Sequence, residues 1–162
     1  MAATAGELDR VQIIDFDTDL AEDFKRLNVE WLEKYFWVEP IDEIVLSDPG
    51  GQIIEPGGHI LFAALDTAIV GTAALKHHGN GVYELTKMAV TERHQGVGIG
   101  RALLVASIAR FEAVDGRQLY LESHSSLETA LGLYASAGFC HSPRPAPSEY
   151  ARSDVYMVYR PS

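Results

Sequence analysis

The sequence predicts a mixed α/β fold in which one sheet combines antiparallel hairpins with a strand–helix–strand crossover. Three observations predict it. Strand-like runs at about 59–65, 69–77 and 82–90 follow one another with only short turns between them. The last run leads through a glycine-rich loop at 95–100 straight into a helical stripe. The remaining elements then alternate, so the whole order is strand, helices, three strands, helix, strand, helix, strand.

Val11 to Phe16 is a short β-prone run. Asp19, with Glu22 three residues later, resembles a capping box. Behind it Leu20, Phe24, Leu27, Trp31 and Tyr35 fall on one helical stripe. Pro40 suits the first turn of a second short helix running to about Leu46, and Asp48-Pro49-Gly50-Gly51 stops it. Pro56-Gly57-Gly58 makes another turn before the strands. Asp66-Thr67 and Gly79-Asn80-Gly81 punctuate the three strand runs as two hairpins. After the glycine loop, Leu104, Ile108 and Phe111 form the apolar stripe of a helix that Asp115-Gly116 ends. Gln118 to Glu122 reads as a strand. Ser125 and Glu128 frame a second capping box, and Leu127, Ala130, Leu131 and Tyr134 share the face of the helix that follows. Gly138 suits the C′ position, 143–147 is a proline-rich loop, and Val155–Tyr159 is a final strand.

The chain has 162 residues, 47% of them hydrophobic and 22% charged, which fits a single domain over 1–162 with a core of its own. Cys140 is the one cysteine, which excludes an internal disulfide framework and a cysteine-based zinc site. No His spacing matches a zinc site either, so no metal is expected. The opening Met1–Glu7 shows no basic and apolar leader pattern, and no apolar run nears the roughly 20 residues a bilayer requires. A soluble, cytoplasmic protein without a membrane partner is expected. The net charge of −10 sits wholly in the first third, because residues 56–162 carry nine acidic and nine basic side chains. An acidic chain of this kind argues against nucleic acid as the main partner, since phosphate binding needs a basic face.

The segment that carries chemistry is Gln95-Gly96-Val97-Gly98-Ile99-Gly100, with a strand before it and a helix after it. Glycines let main-chain N–H groups approach a ligand without side-chain obstruction, and the helix start adds unpaired donors and the positive end of a dipole. Together they form a site for phosphate oxygens. Arg93 and Arg101 flank it. No Lys-Ser/Thr pair follows, so this is not a Walker loop. The third glycine of a dinucleotide fingerprint would fall on Arg101, which fits that motif poorly. A tight turn without a ligand is the plainer alternative.

This segment resembles the GNAT superfamily of acyl-CoA-dependent N-acyltransferases, whose signature is Gln/Arg-x-x-Gly-x-Gly/Ala. Met88-Ala89-Val90 resembles the end of the family's central strand, and Ala130-x-x-Leu133-Tyr134-x-x-x-Gly138-Phe139 its second common pattern. The likeness is strongest over about 82–140. It implies a mixed, mostly antiparallel sheet of about six to seven strands with about four helices. It implies acetyl-CoA as acyl donor, with pyrophosphate on the main-chain amides from Val97 to Arg101 beside Gln95 and Gly96. The pantetheine arm would pair like an extra strand with Met88 and Val90, between strands that splay apart. It implies Glu84 as general base, the amide of Val90 or Ala89 for the oxyanion, and Tyr134 as donor to the departing thiolate. The family's helix-start Asn is replaced here by Leu127, and His124 or Ser125 would take over its contact with the arm.

The residues themselves leave alternatives open. Glu84 is also suited to pairing with Lys76 or Lys87, and Tyr134 to packing along its apolar stripe. His77 and His78, adjacent on a strand, point to opposite faces. Cys140 reads by default as a small buried hydrophobe, with approach to the thioester region as the alternative. Trp31, Tyr35, Phe36 and Trp37 with Glu30, Glu33 and Glu39 would make an aromatic, acidic wall for a positively charged amine. The expected function is acetyl transfer to a primary amine, small-molecule or protein-borne, with a homodimer as an assembly that the resemblance allows. The alternatives are a member that binds acyl-CoA without turnover, and a nucleotide-binding module.

Overall fold

A computed structural model describes residues 5–161. The first four residues of the leader reading lie outside the described part. Seven strands form one sheet in the order β1-β2-β3-β4-β5-β7-β6. They are β1 (Val11–Asp15), β2 (His59–Leu65), β3 (Ala68–His77), β4 (Val82–Val90), β5 (Gln118–Ser123), β6 (Phe139–His141) and β7 (Val155–Tyr159). Every neighbouring pair is antiparallel except β4 and β5, which are parallel and joined by the crossover helix. The α-helices are α1 (Ala5–Leu8), α2 (Ala21–Tyr35), α3 (Pro40–Ser47), α4 (Ile99–Ala113) and α5 (Glu128–Ser136). This is the mixed, mostly antiparallel sheet that the sequence predicts, with a one-turn α1 in addition to the four expected helices. Among the described residues no helix is long and apolar enough to cross a membrane.

Both faces of the sheet centre are covered, which is why β2 and β3 read as near-continuous apolar runs. The two-residue period divides them. Leu61, Ala63, Ala73 and Leu75 pack with Leu103, Leu104 and Phe111 of α4. Ile60, Phe62 and Ala74 pack on the other face with Phe24 and Leu32 of α2 and Val45 of α3.

The structure corrects both capping boxes. The chain before α2 makes a 3₁₀ turn at Thr18–Leu20 that Asp17 caps, its carboxylate accepting from the Asp19 amide at 2.9 Å. This turn runs directly into α2, so Leu20 stands at the cap with no side-chain bond. At α5, Leu127 is the cap residue, because Ser125 is engaged elsewhere. Its amide and hydroxyl both donate to Asp154, at 2.8 and 2.7 Å, and a charged acceptor outcompetes a local one. The short β6 was unexpected, since three residues display no period. Its Phe139 takes the buried face, so alternation turns Cys140 outward. Cys140 is therefore exposed on an edge strand, two positions from β5 in the sheet, rather than a buried hydrophobe near the site.

One irregularity organises the site. Between the register pairs Thr72↔Ala89 and Ala74↔Thr86, β4 contains one residue more than β3. Lys87 sits in this bulge with φ +55°. Leu85 belongs to the α4 side of the core, and regular alternation would turn Lys87 to that side as well. The bulge turns it instead toward α3, where its Nζ donates to Asp42 Oδ1 at 2.6 Å. Arg152, in the loop between β6 and β7, donates to both Asp42 oxygens at 2.7 and 2.9 Å. Glu39 accepts from Arg152 Nη1 at 3.0 Å and from the Ala151 amide at 2.8 Å. Buried Lys87, Asp42 and Glu39 and the partly buried Arg152 thus form one chain of ion pairs, which ties α3, the bulge and the β6–β7 loop together. The Tyr150 ring is shared by both cations, with Lys87 Nζ 4.5 Å and the Arg152 guanidinium 4.6 Å from its centroid.

Burial works to raise the Asp42 pKa, but the Arg152 and Lys87 contacts and the Glu39 amide outweigh it and hold the carboxyl at about 2. A folded value below the free value of about 3.9 means that the contribution is complete above pH ~4 and disappears as the pH falls toward 2. Its size is about 2 kcal/mol. Acid titration of stability, followed by urea unfolding between pH 5 and 2, should show this loss in the wild type. Asp42→Ala should lose about 3 kcal/mol at pH 7, because it removes the carboxylate partner of the buried Lys87 and leaves Arg152 with Glu39 alone. An unchanged unfolding midpoint at pH 7 would show that the cluster does not hold these elements.

Candidate active site

The site begins where two strands separate. β4 and β5 pair from Val82↔Gln118 to Leu85↔Leu121 and no further, although β4 runs on to Val90 and β5 to Ser123. The gap opens into a cavity of about 750 Å³. β4 lines it from Glu84 to Val90, and the end of β5, the start of α5 and the inner side of α2 complete the wall. The Thr91 amide donates to Val70 on β3 at 2.9 Å. Alternation then directs the main chain of Val90 away from β3, into the gap, and Ala89 back toward its register partner Thr72. The Val90 carbonyl accepts from Gln95 Nε2 at 2.9 Å, so Gln95 fastens the glycine loop to the strand end.

At the mouth of the gap, Gly96 and Gly98 have φ of +83° and +102°, a region that other residues enter only with strain. A Cβ on Gly96 would meet nothing within 4 Å, so its main chain is open to a ligand. The first intrahelical bond of α4 runs from the Ala102 amide to the Gly98 carbonyl at 3.0 Å. The amides of Ile99, Gly100 and Arg101 precede that ladder and point outward from the helix start. Of the predicted loop residues, Gln95, Gly96 and Gly100 line the cavity. The Ile99 side chain is buried in the α4 core and anchors the helix start, and Val97 packs against the same core. The Arg101 guanidinium donates to Ser136 Oγ at 3.2 Å. Met88, Ala89 and Val90 all line the cavity, with Met88 and Val90 also packed against the core on the α4 side.

Glu84 is buried on β4 and reaches the cavity wall. Its partner is neither Lys76, which lies opposite it in register, nor Lys87, which goes to Asp42. It is His78, whose Nε2 lies 3.0 Å from Glu84 Oε1, with the Tyr120 hydroxyl 3.5 Å from the same oxygen. Tyr134, half-buried on α5, both packs and lines the cavity, its ring tilted against Phe139 at 6.1 Å. Burial pushes its phenol up to about 12. His124 lines the cavity where β5 turns into α5. Its Nδ1 accepts from the Ser126 amide at 3.0 Å and lies 2.7 Å from Ser126 Oγ, while its ring stands edge-on to Phe36.

The expected acidic wall is corrected. Trp31, Tyr35 and Phe36 do line the cavity, but Trp37 is 54% exposed and not part of the wall. Glu30 accepts from Thr91 Oγ1 and the Glu92 amide, Glu39 is tied to Arg152, and Glu33 is exposed. The charges on the wall are instead Glu84, Glu122, Glu128, Lys87 and Arg152. Lys87, Asp42, Tyr150 and Arg152 were missed from the sequence. The one available sign was a lysine inside the strand-like run Leu85–Val90, whose other residues are uncharged. Among the described residues no group of three or more His, Cys, Asp or Glu is arranged to hold a metal ion.

Comparison with known proteins agrees with this geometry. A model of the acetyltransferase (GNAT) family matches residues 15–139. A GNAT-family acetyltransferase of Staphylococcus aureus Mu50 superposes with a TM-score of 0.83 at 20% identity, covering 92% of this chain and 98% of that one. The PaiA N-acetyltransferase of Thermoplasma acidophilum, solved in complex with coenzyme A, gives 0.71 at 15% identity, covering 93% and 98%. Mycothiol acetyltransferase of Stackebrandtia nassauensis is 37% identical over 82 residues, which are 51% of this chain but only 26% of that relative. The family match runs from the end of β1 into β6 and takes in the glycine turn, the strand divergence, Glu84 and Tyr134, so the chain belongs to the acetyltransferase (GNAT) family.

Proposed function

We propose that this acetyltransferase moves an acetyl group from acetyl-CoA to a primary amine by direct attack within a ternary complex. One observation carries the reading: a single cavity joins the glycine turn to a buried carboxylate through the gap between β4 and β5. The outward amides of the α4 start hold the pyrophosphate of the donor. Its extended arm lies in the gap and pairs with the main chain of β4, as an added strand would. Proteins of the same fold have been solved with coenzyme A and with acetyl-CoA, which supports a CoA thioester as the donor.

An alkyl amine with a pKa near 10.4 arrives largely protonated at neutral pH. Glu84 accepts its proton, directly or through one water, and the free amine attacks the thioester carbon. The Val90 amide, directed into the gap, donates to the oxyanion of the tetrahedral intermediate. As the carbon–sulfur bond breaks, Tyr134 donates a hydrogen bond to the thiolate. A phenol held near 12 does not surrender its proton to a thiolate whose acid has a pKa near 8.5, so this contact stabilises charge without completing a transfer. His124 borders the arm's path where the family's usual Asn is replaced by Leu127.

Two variants test the assignment with acetyl-CoA and a panel of primary amines. Glu84→Gln should reduce kcat by about 10²–10³-fold while the dissociation constant for CoA stays the same. An unaltered rate and pH profile would remove Glu84 from the mechanism. Gly100→Glu places a carboxylate in the anion site without backbone strain, since its Cβ would find its nearest neighbours at 4.0 Å. CoA affinity measured by calorimetry should fall by at least about tenfold with little change in Tm. Wild-type affinity in that variant would place the pyrophosphate elsewhere.

A further inference from the structure

We propose that His78 is a positioning residue for the base: its Nε2–H holds one oxygen of Glu84, leaves the other for the amine, and makes the strength of the base depend on the protonation of the imidazole. The inference rests on Glu84 being the base. It starts from the hairpin between β3 and β4. Gly79, Asn80 and Gly81 all have positive φ, at +91°, +54° and +74°, which closes a tight turn. The His78 amide donates to the Val82 carbonyl at 2.8 Å, so these two residues face each other at the end of the ladder. Glu84 lies two residues along β4 from Val82, on the diagonal from His78, within reach of a long side chain. The adjacent histidines divide accordingly. His77 stacks on Tyr83 at 4.6 Å, and His78 meets Glu84 and Tyr120 on the opposite face.

The pair spans the boundary of the site. Glu84 lines the cavity with a side chain only 9% exposed, whereas the His78 side chain is 34% exposed. Both neighbours of the carboxylate, His78 Nε2 and the Tyr120 hydroxyl, address Oε1. Oε2 is therefore the oxygen that takes the ammonium proton before the free amine attacks; once the nitrogen–carbon bond has formed and the carbon–sulfur bond has broken, the nitrogen's second proton passes to water and CoA leaves as the thiolate. The titratable and charged groups around the pair are Lys76 on β3, Lys87 on β4, Tyr120 on β5, Tyr156 on β7 and Tyr150 in the β6–β7 loop. His78, 3.0 Å from Glu84 Oε1, is the member in direct contact that can pass between a neutral and a cationic form. An imidazolium beside a carboxylate stabilises the anion and so weakens it as a base. The contact couples the two groups, so the rate falls when the imidazole is protonated.

The test compares the kcat–pH profiles of wild type, His78→Gln and His78→Phe, with CoA affinity and Tm measured for each. His78→Gln keeps an N–H donor but cannot titrate. It should retain kcat within about twofold at pH 8 and move the acid limb to lower pH. His78→Phe keeps the ring but loses the donor, and should lose about tenfold in kcat with CoA affinity unchanged. Nuclear magnetic resonance adds a readout that needs no turnover: the His78 titration should move to lower pH in Glu84→Gln, where its anionic partner is gone. Profiles of both His78 variants that superimpose on the wild type, or a His78 titration indifferent to Glu84→Gln, would overturn the proposal. If Glu84→Gln itself keeps the wild-type rate, it is the assignment of the base that fails. If it loses the rate while both His78 variants do not, only the role of His78 is wrong.

Discussion

Past Leu85 and Leu121 the parallel pair of β4 and β5 comes apart, and the site depends on that parting. Continued pairing would have consumed the main-chain donors and acceptors of β4 and left no room between the strands. The bulge at Lys87 keeps them apart. It adds a residue to β4 alone, so the strand bends, and it turns a cationic side chain onto the α3 face, where Asp42 holds it. The Val90 main chain consequently points into an open cavity rather than at a neighbouring strand. Main-chain groups that face a gap favour any partner that can pair with them, which is the physical basis of the extended-ligand seat proposed above.

The charges behind the bulge serve geometry more than net stability. Asp42, Glu39, Lys87 and Arg152 sum to zero, and a buried balanced cluster gains little over a well-packed apolar one. Its value lies in direction. It brings the β6–β7 loop, with Tyr150 and Arg152, against α3 and the end of β4, and so fixes the side of the cavity opposite the glycine turn. With these charges satisfied among themselves, Glu84 is the buried anion left facing the cavity, and its polarity is set by the small group of residues around it rather than by the acidity of the first third of the chain.

Much of this was legible in the sequence because it is written locally. The three central strands ended within a residue of their expected bounds, since runs such as Ile60–Leu65 carry apolar patterns bounded by strong turn residues. The glycine turn was legible because only glycine tolerates its φ values and because a helix stripe begins directly behind it. The capping boxes failed where a local pattern met a distant competitor: Asp154 is 29 residues from the Ser125 it captures. The acidic wall failed for the same kind of reason, since Glu39 is spent on Arg152, 113 residues away.

What the sequence by itself determined, then, is the succession of strands and helices, the glycine turn before α4 and the presence of a carboxylate on β4, because period, turn chemistry and φ preference act over a few neighbouring residues. Only the tertiary structure decided that β4 bulges at Lys87, that Asp42 receives both Lys87 and Arg152, and that His78 rather than a lysine stands beside Glu84. Each of these depends on register between strands or on contacts far apart along the chain, and a shift of one residue in a strand reverses the face on which every following side chain appears.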